Sequence, residues 1–142
     1  MTEKVYCGID PGYKTGGIGI LSGDWGEVHD LPTFESGGIN CHEMDHILNS
    51  INIDFVVIEK QGGRPGQGIT SIGNLMMAYG QILGCVQILG LRHVIHSPHT
   101  WKKRMHVTKD KDYARQLAMQ QFPKLSTELK LKKHEHRAEA LL

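Results

Sequence analysis

Apolar and polar positions follow two different periods along the chain. Val5 to Ile9 is an apolar, β-branched run that stops at Asp10-Pro11-Gly12, and Gly17 to Leu21 and Gly26 to Leu31 follow after short turns. Three such runs separated by glycine-rich breaks predict a three-stranded meander. Met44, Ile47, Leu48 and Ile51 then fall at i, i+3, i+4 and i+7, which predicts an amphipathic helix over residues 41 to 51. Ile53 to Ile58 is a continuous apolar run broken only by Asp54, the signature of a central strand, and it delivers Glu59 at its carboxyl end.

After the loop Gly62-Gly63-Arg64-Pro65-Gly66-Gln67-Gly68, helical spacing returns. Ile72, Leu75, Met76, Tyr79, Ile82, Leu83 and Val86 form the apolar stripe of a long core helix from Thr70 to Leu89. His93 to His96 reads as a short fifth strand stopped by Pro98. Lys109 to Phe122 reads as a helix begun by Thr108 and ended before Pro123, and a last helix starts near Lys133. The order βββαβαβαα predicts an α/β fold in which a mixed five-stranded sheet is flanked by helices. The last helical pattern is still running at Leu142, so that helix is expected to continue past this residue.

A length of 142 residues allows one core, so residues 1–142 are expected to form a single domain. No apolar run approaches the roughly 20 residues of a membrane span, and the segment Met1-Thr2-Glu3-Lys4 lacks the basic and apolar regions of a secretory signal. These features predict a cytoplasmic protein without a membrane partner. Cys7, Cys41 and Cys85 are odd in number, far apart and set among apolar residues, so they are expected to be buried thiols and not a disulfide framework.

Charge changes the picture once the chain is divided. Residues 1–91 carry 4 Lys or Arg and 10 Asp or Glu, whereas residues 92–142 carry 12 and 5 together with six of the nine histidines. A basic second half suits a polyanion, because phosphate contacts supply most non-specific affinity for DNA.

Three distant segments carry the candidate chemistry. Asp10 ends the first strand and Glu59 the fourth, while His136 and Glu139 lie three residues apart on the last helix. At about 100° per residue they share one helix face with Ala140, so the helix can present two ligands toward the strand ends. Carboxylates gathered there repel one another unless a cation neutralises them. An oxygen-rich set prefers Mg²⁺ or Mn²⁺, and two such ions suit phosphodiester displacement.

At these residues the sequence resembles a known family. Gly8-Ile9-Asp10-Pro11-Gly12 with Thr15-Gly16-Gly17, then Val57-Ile58-Glu59, then His136-Arg137-Ala138-Glu139-Ala140-Leu141 follow the RuvC-type Holliday junction resolvase pattern in order over nearly the whole chain. The resemblance implies a ribonuclease-H-like fold and a homodimer in a bacterial or phage-infected cell. It implies an endonuclease of DNA recombination and repair that nicks two strands of a four-way junction symmetrically. It also implies two Mg²⁺ or Mn²⁺ ions held by Asp10, Glu59, His136 and Glu139. Histidine stands third and glutamate fourth where many relatives are fully acidic; histidine suits Mn²⁺ better than Mg²⁺, and Glu135, at i, i+4 from Glu139, can take the place of His136. Lys102, Lys103, Arg104, Lys109 and Lys111 resemble the segment with which resolvases hold DNA, Lys102 and Lys111 matching best. Relatives tend to carry a wedge after the second acid, but here Lys60-Gln61-Gly62-Gly63 follows Glu59 and no aromatic comes before Tyr79.

Other readings compete. His42-Glu43-Met44-Asp45-His46 fits the zinc-protease pattern H-E-x-x-H. Its histidines, however, lie opposite the apolar stripe of their helix and so face solvent, with no third ligand in sight. The glycines after Asp10 could form the phosphate loop of an actin-like ATPase, but 142 residues leave no room for its second lobe. A non-catalytic junction-binding module, or another ribonuclease-H-like nuclease acting on flaps, forks or RNA-DNA hybrids, remains open to the same acids. Gly73, Gly80 and Gly84 share a bare side of the long helix away from its stripe, suited to close packing within the monomer or against a second copy.

Overall fold

The computed structural model describes residues 3–97 together with Gln116 and Gln120. Strands β1 (Tyr6–Asp10), β2 (Gly17–Ser22) and β3 (Trp25–Asp30) form the expected meander. They are followed by helix α1 (Cys41–Asn49), strand β4 (Phe55–Glu59), helix α2 (Ile69–Ile88) and strand β5 (His93–His96). Gln116 and Gln120, one turn apart, are helical and exposed. The remainder of the helix expected from Lys109 to Phe122, the helix expected from Lys133, and Lys102, Lys103, Arg104, Lys109, Lys111, His136 and Glu139 lie outside the described residues.

The five strands make one open sheet in the order β3-β2-β1-β4-β5. β1 is antiparallel to β2 and β2 to β3, whereas β1 and β4, and β4 and β5, run parallel. The two-residue turn at Gly23-Asp24 suffices for the β2–β3 hairpin, and Gly23 has a φ of 58°. Parallel neighbours need a longer crossover, which α1 and α2 supply.

The core lies on one face of the sheet. Cys7, Ile9, Ile18, Ile20, Val56 and Ile58 alternate onto it and are buried together with Met44 and Leu48 of α1 and Ala78, Tyr79, Ile82, Cys85 and Val86 of α2. α1 is started by Asn40, whose Oδ1 accepts from Glu43 N at 3.3 Å, and its bonding ends at Ser50, whose N–H donates to Ile47 O. The segment before α1 is tied to α2 by Ile39 N donating to Gln81 Oε1 at 2.9 Å.

Three expectations need adjustment. β4 begins at Phe55 and not at Ile53, because Asp54 serves as an anchor. Its backbone N–H donates to Val5 O at 2.9 Å and its Oδ2 accepts from Val5 N at 2.8 Å, which fixes the register of β4 on β1. Cys41 is exposed, not buried, because it stands in the first turn of α1 at the edge of the contact with Cys85; Cys7 and Cys85 are buried as expected. On α2, Met76 is 39% exposed, and the buried side is built instead from Ala78 and Cys85 beside Tyr79, Ile82 and Val86. α2 contains no charged residue over 20 residues, and its mean hydropathy of 1.2 makes it long and apolar enough, by length and composition, to cross a membrane. Its packed side places it as a core helix of this sheet.

Candidate metal centre at the strand ends

The two described candidate acids meet at one edge of the sheet. The β1–β4 register runs through Cys7 with Val56, Gly8 with Val57 and Ile9 with Ile58, and Asp10 and Glu59 are the next residue on each strand. Adjacent strands lie about 4.8 Å apart, so the carboxylates leave the carboxyl ends of two parallel neighbours side by side and on the same face of the sheet. Here the chain also leaves β1 toward β2 on one side and β4 toward β5 on the other, and open α/β sheets bind ligands outside the carboxyl ends of their strands at such a switch.

Asp10 is the only charged side chain in the buried class among the described residues, with 5% of its surface exposed. The loop behind it can close only with glycine at two positions. A Cβ on Gly12 would strike the carbonyl oxygen of Thr15, and one on Gly16 would lie 2.5 Å from the Asp10 carbonyl oxygen and 2.6 Å from Leu31 Cδ2. Leu31 N in turn donates to Gly16 O at 3.0 Å, which extends the β2–β3 pairing to the base of the loop. The glycines quoted for the family resemblance therefore have a local steric role: they let the chain fold back tightly around Asp10.

Glu59 is half-buried, and its Oε1 accepts from Gln61 Nε2 at 3.4 Å. Lys60 N donates to His96 O at 2.7 Å, so the ladder with β5 continues past the acid and holds the strand end rigid. His96 pairs with Glu59 in register and so stands on the same face at the end of β5. Among the described residues no three His, Cys, Asp or Glu side chains gather closely enough to hold an ion. The described part of the candidate centre thus consists of carboxylates on two neighbouring strand ends, donors of the kind that suit Mg²⁺ or Mn²⁺.

Beyond Glu59 the glycine-rich loop borders a cleft of about 540 Å³ lined by Lys60, Gln61, Arg64, Gln67 and Leu75 among others. A turn closed by Gln67 N donating to Arg64 O at 3.1 Å carries Arg64 and Pro65, and Gly66 adopts a φ of 83° within it. Cationic Lys60 and Arg64 therefore line a cleft in the loop that follows Glu59. The H-E-x-x-H motif lies elsewhere, on the outer side of α1, where both histidines are exposed.

An open mixed sheet with this strand order, its acids at the ends of β1 and β4, and helices on its core face is a ribonuclease-H-like fold. Its structural neighbours are RuvC Holliday junction resolvases. The structure described as "T. thermophilus RuvC in complex with Holliday junction substrate" matches with a TM-score of 0.70 at 17% identity, covering 97% of this chain and 88% of that one. A second Thermus thermophilus RuvC structure matches with a TM-score of 0.64 at 18% identity, covering 96% and 89%. At these identities the likeness establishes the fold. No family model matches the chain, and no curated protein matches it.

Proposed function

We propose that the protein is a divalent-metal-dependent endonuclease that cuts four-way DNA junctions by paired phosphodiester hydrolysis. The observation that carries this reading is the placement of Asp10 and Glu59 as neighbours at the carboxyl ends of β1 and β4 in a RuvC-like fold. Junction DNA is the bound substrate of one structural neighbour, and the basic second half of this chain suits the same partner.

Asp10, Glu59, His136 and Glu139 would hold two Mg²⁺ or Mn²⁺ ions. When bound, such ions lower the pKa of an attacking water and offset charge on the attacking and leaving oxygens of an in-line displacement. Burial of Asp10 limits competing water around its carboxylate, and the closed Gly12–Gly16 loop fixes its direction. Lys102, Lys103, Arg104, Lys109 and Lys111 would hold phosphate and balance the charge that develops on it. Lys60 and Arg64 are further cations available to the DNA backbone beside Glu59.

Two symmetric cuts call for two copies of a one-site domain, and α2 offers the surface for a homodimer. Gly73, Met76, Met77, Gly80, Gly84 and Ile88 lie on the side of α2 opposite its buried residues. A Cβ on any of those three glycines meets nothing within 4 Å, so the described part of the monomer has no need of them. Met77 is 49% and Ile88 87% exposed on this uncharged side. Three exposed glycines on one helix, each costing about 1 kcal/mol of propensity relative to alanine, fit a close helix–helix approach across a two-fold axis.

The test is incubation of a labelled four-way junction with Mg²⁺, Mn²⁺ or EDTA, beside duplex, flap, fork and RNA-DNA hybrid controls. Metal-dependent symmetric nicks confined to the junction are expected. Equal cutting of plain duplex would remove the resolvase reading, and preferred cutting of flaps or hybrids would assign a different nuclease of this fold.

A further inference from the structure

A histidine pair that the proposed nuclease chemistry leaves unused lies on α1. His42 and His46 are exposed, four residues apart, with ring centroids 4.8 Å apart and planes at 84°. We propose that they form a surface binding site for a late first-row divalent cation of the zinc, nickel or copper class, separate from the acidic strand-end centre.

The spacing fits two imidazoles on one ion. With metal–nitrogen bonds of about 2.1 Å and an angle at the metal between a right angle and the tetrahedral value, two ring centroids stand about 4.5–5.2 Å apart. The observed separation falls inside that interval with the helix backbone as it stands; the rings meet edge to face, so the two side chains would turn to aim one nitrogen each at the ion. The helix that presents the pair is firmly held: Met44 and Leu48 are fully buried on its inner side, and Asn40 caps its start. Asn49 Nδ2 donates to Asp45 Oδ1, which ties the last turn together next to His46. Glu43 and Asp45 flank the histidines in sequence and add negative charge that favours a bound cation.

Donor chemistry separates this site from the first. Imidazole nitrogen selects zinc, nickel and copper, whereas carboxylate oxygen suits magnesium and manganese. With no third His, Cys, Asp or Glu gathered beside the pair among the described residues, water or a donor from another molecule would complete the coordination sphere. Among the described residues the pair therefore has neither the four protein ligands of a structural zinc nor the three of a catalytic one. Such a pair would bind metal on the exposed side of α1, where both histidines of the H-E-x-x-H motif lie.

The experiment is calorimetric titration of the full untagged chain with Ni²⁺ or Zn²⁺ alone. The comparison includes His42→Ala, His46→Ala and the double histidine variant, each also in saturating Mg²⁺, which competes for the strand-end centre. The natural sequence should retain a bound ion in Mg²⁺ that the double histidine variant lacks. Loss of a second-shell partner alone commonly costs 10- to 100-fold in affinity, so loss of either histidine should weaken binding at least about tenfold. Unchanged binding by the double variant, displacement by Mg²⁺, or no binding by the natural sequence would overturn the assignment. An independent reading on the unmutated protein is the imidazole NMR spectrum: Zn²⁺ should shift the His42 and His46 resonances first, and prior shifts at other histidines would equally refute the site.

Discussion

A Cβ on Gly16 would lie 2.5 Å from the carbonyl oxygen of Asp10. The obstacle is backbone on one side and the buried Leu31 side chain on the other, and neither can move aside cheaply. Gly16→Ala should therefore destabilise the fold by about 1–3 kcal/mol and misplace Asp10. Thermal denaturation measures the first effect and junction cleavage by the folded fraction the second. Full stability together with full activity would show that the loop does not fix the carboxylate.

Gly80→Leu should give a folded monomer, because a side chain there meets nothing within the described monomer but would block a close approach by a second α2. Sedimentation reads the oligomeric state. Junction cutting should lose its paired character and leave single nicks. A Gly80→Leu protein that remains a dimer and still makes paired cuts places the interface elsewhere.

His136→Asp should raise the rate in Mg²⁺ relative to that in Mn²⁺, since it restores an all-oxygen donor set. The ratio of initial rates in the two metals is the measurement. If the ratio does not move, His136 is not a ligand and Glu135 takes its place.

The thiols should differ in reactivity. Burial pushes Cys7 up to about 12, and burial first, with a hydrogen bond to Cys41, pushes Cys85 up to about 11, while Cys41 is exposed. A maleimide or aromatic disulfide at neutral pH should label Cys41 alone until the protein unfolds. The raised values also fix a sign. The protonated Cys7 and Cys85 are compatible with the fold, so their contribution is intact below the unfolded thiol value near 9.0 and is lost as pH rises toward about 12. Stability should fall across that alkaline window, and a Cys7→Ala protein should show a shallower fall. Equal slopes would remove Cys7 from the alkaline transition.

Much of the described fold was legible because its strands are short apolar runs that end in one polar residue. Asp10 and Glu59 could be placed at strand ends from that pattern alone, and His93–His96 has the bounds its sequence implies. What the pattern hid depends on neighbours. Asp54 looks like a flaw in a buried run, yet it is the residue that pins β4 to β1. Cys41 shares the angular sector of the apolar stripe on α1, but a position in the first turn carries it to the rim of the core. The pairing of β1 with β4, which brings two acids 49 residues apart in the chain into contact range, follows from sheet order and not from any local signal. The position of His96 beside Glu59 depends on the same long-range register.

The most direct test of the account is single-turnover cleavage of a labelled four-way junction in Mg²⁺ and Mn²⁺ by the natural sequence, Asp10→Asn and Glu59→Gln, with junction affinity measured on the same proteins. The account predicts symmetric paired nicks from the natural sequence. Each variant should lose cleavage in both metals while binding the junction at least as tightly, because affinity comes from phosphate contacts and the lost charge served the ions. Near-normal cleavage by either variant would contradict the central claim that Asp10 and Glu59, neighbours at the ends of β1 and β4, form the metal-holding centre.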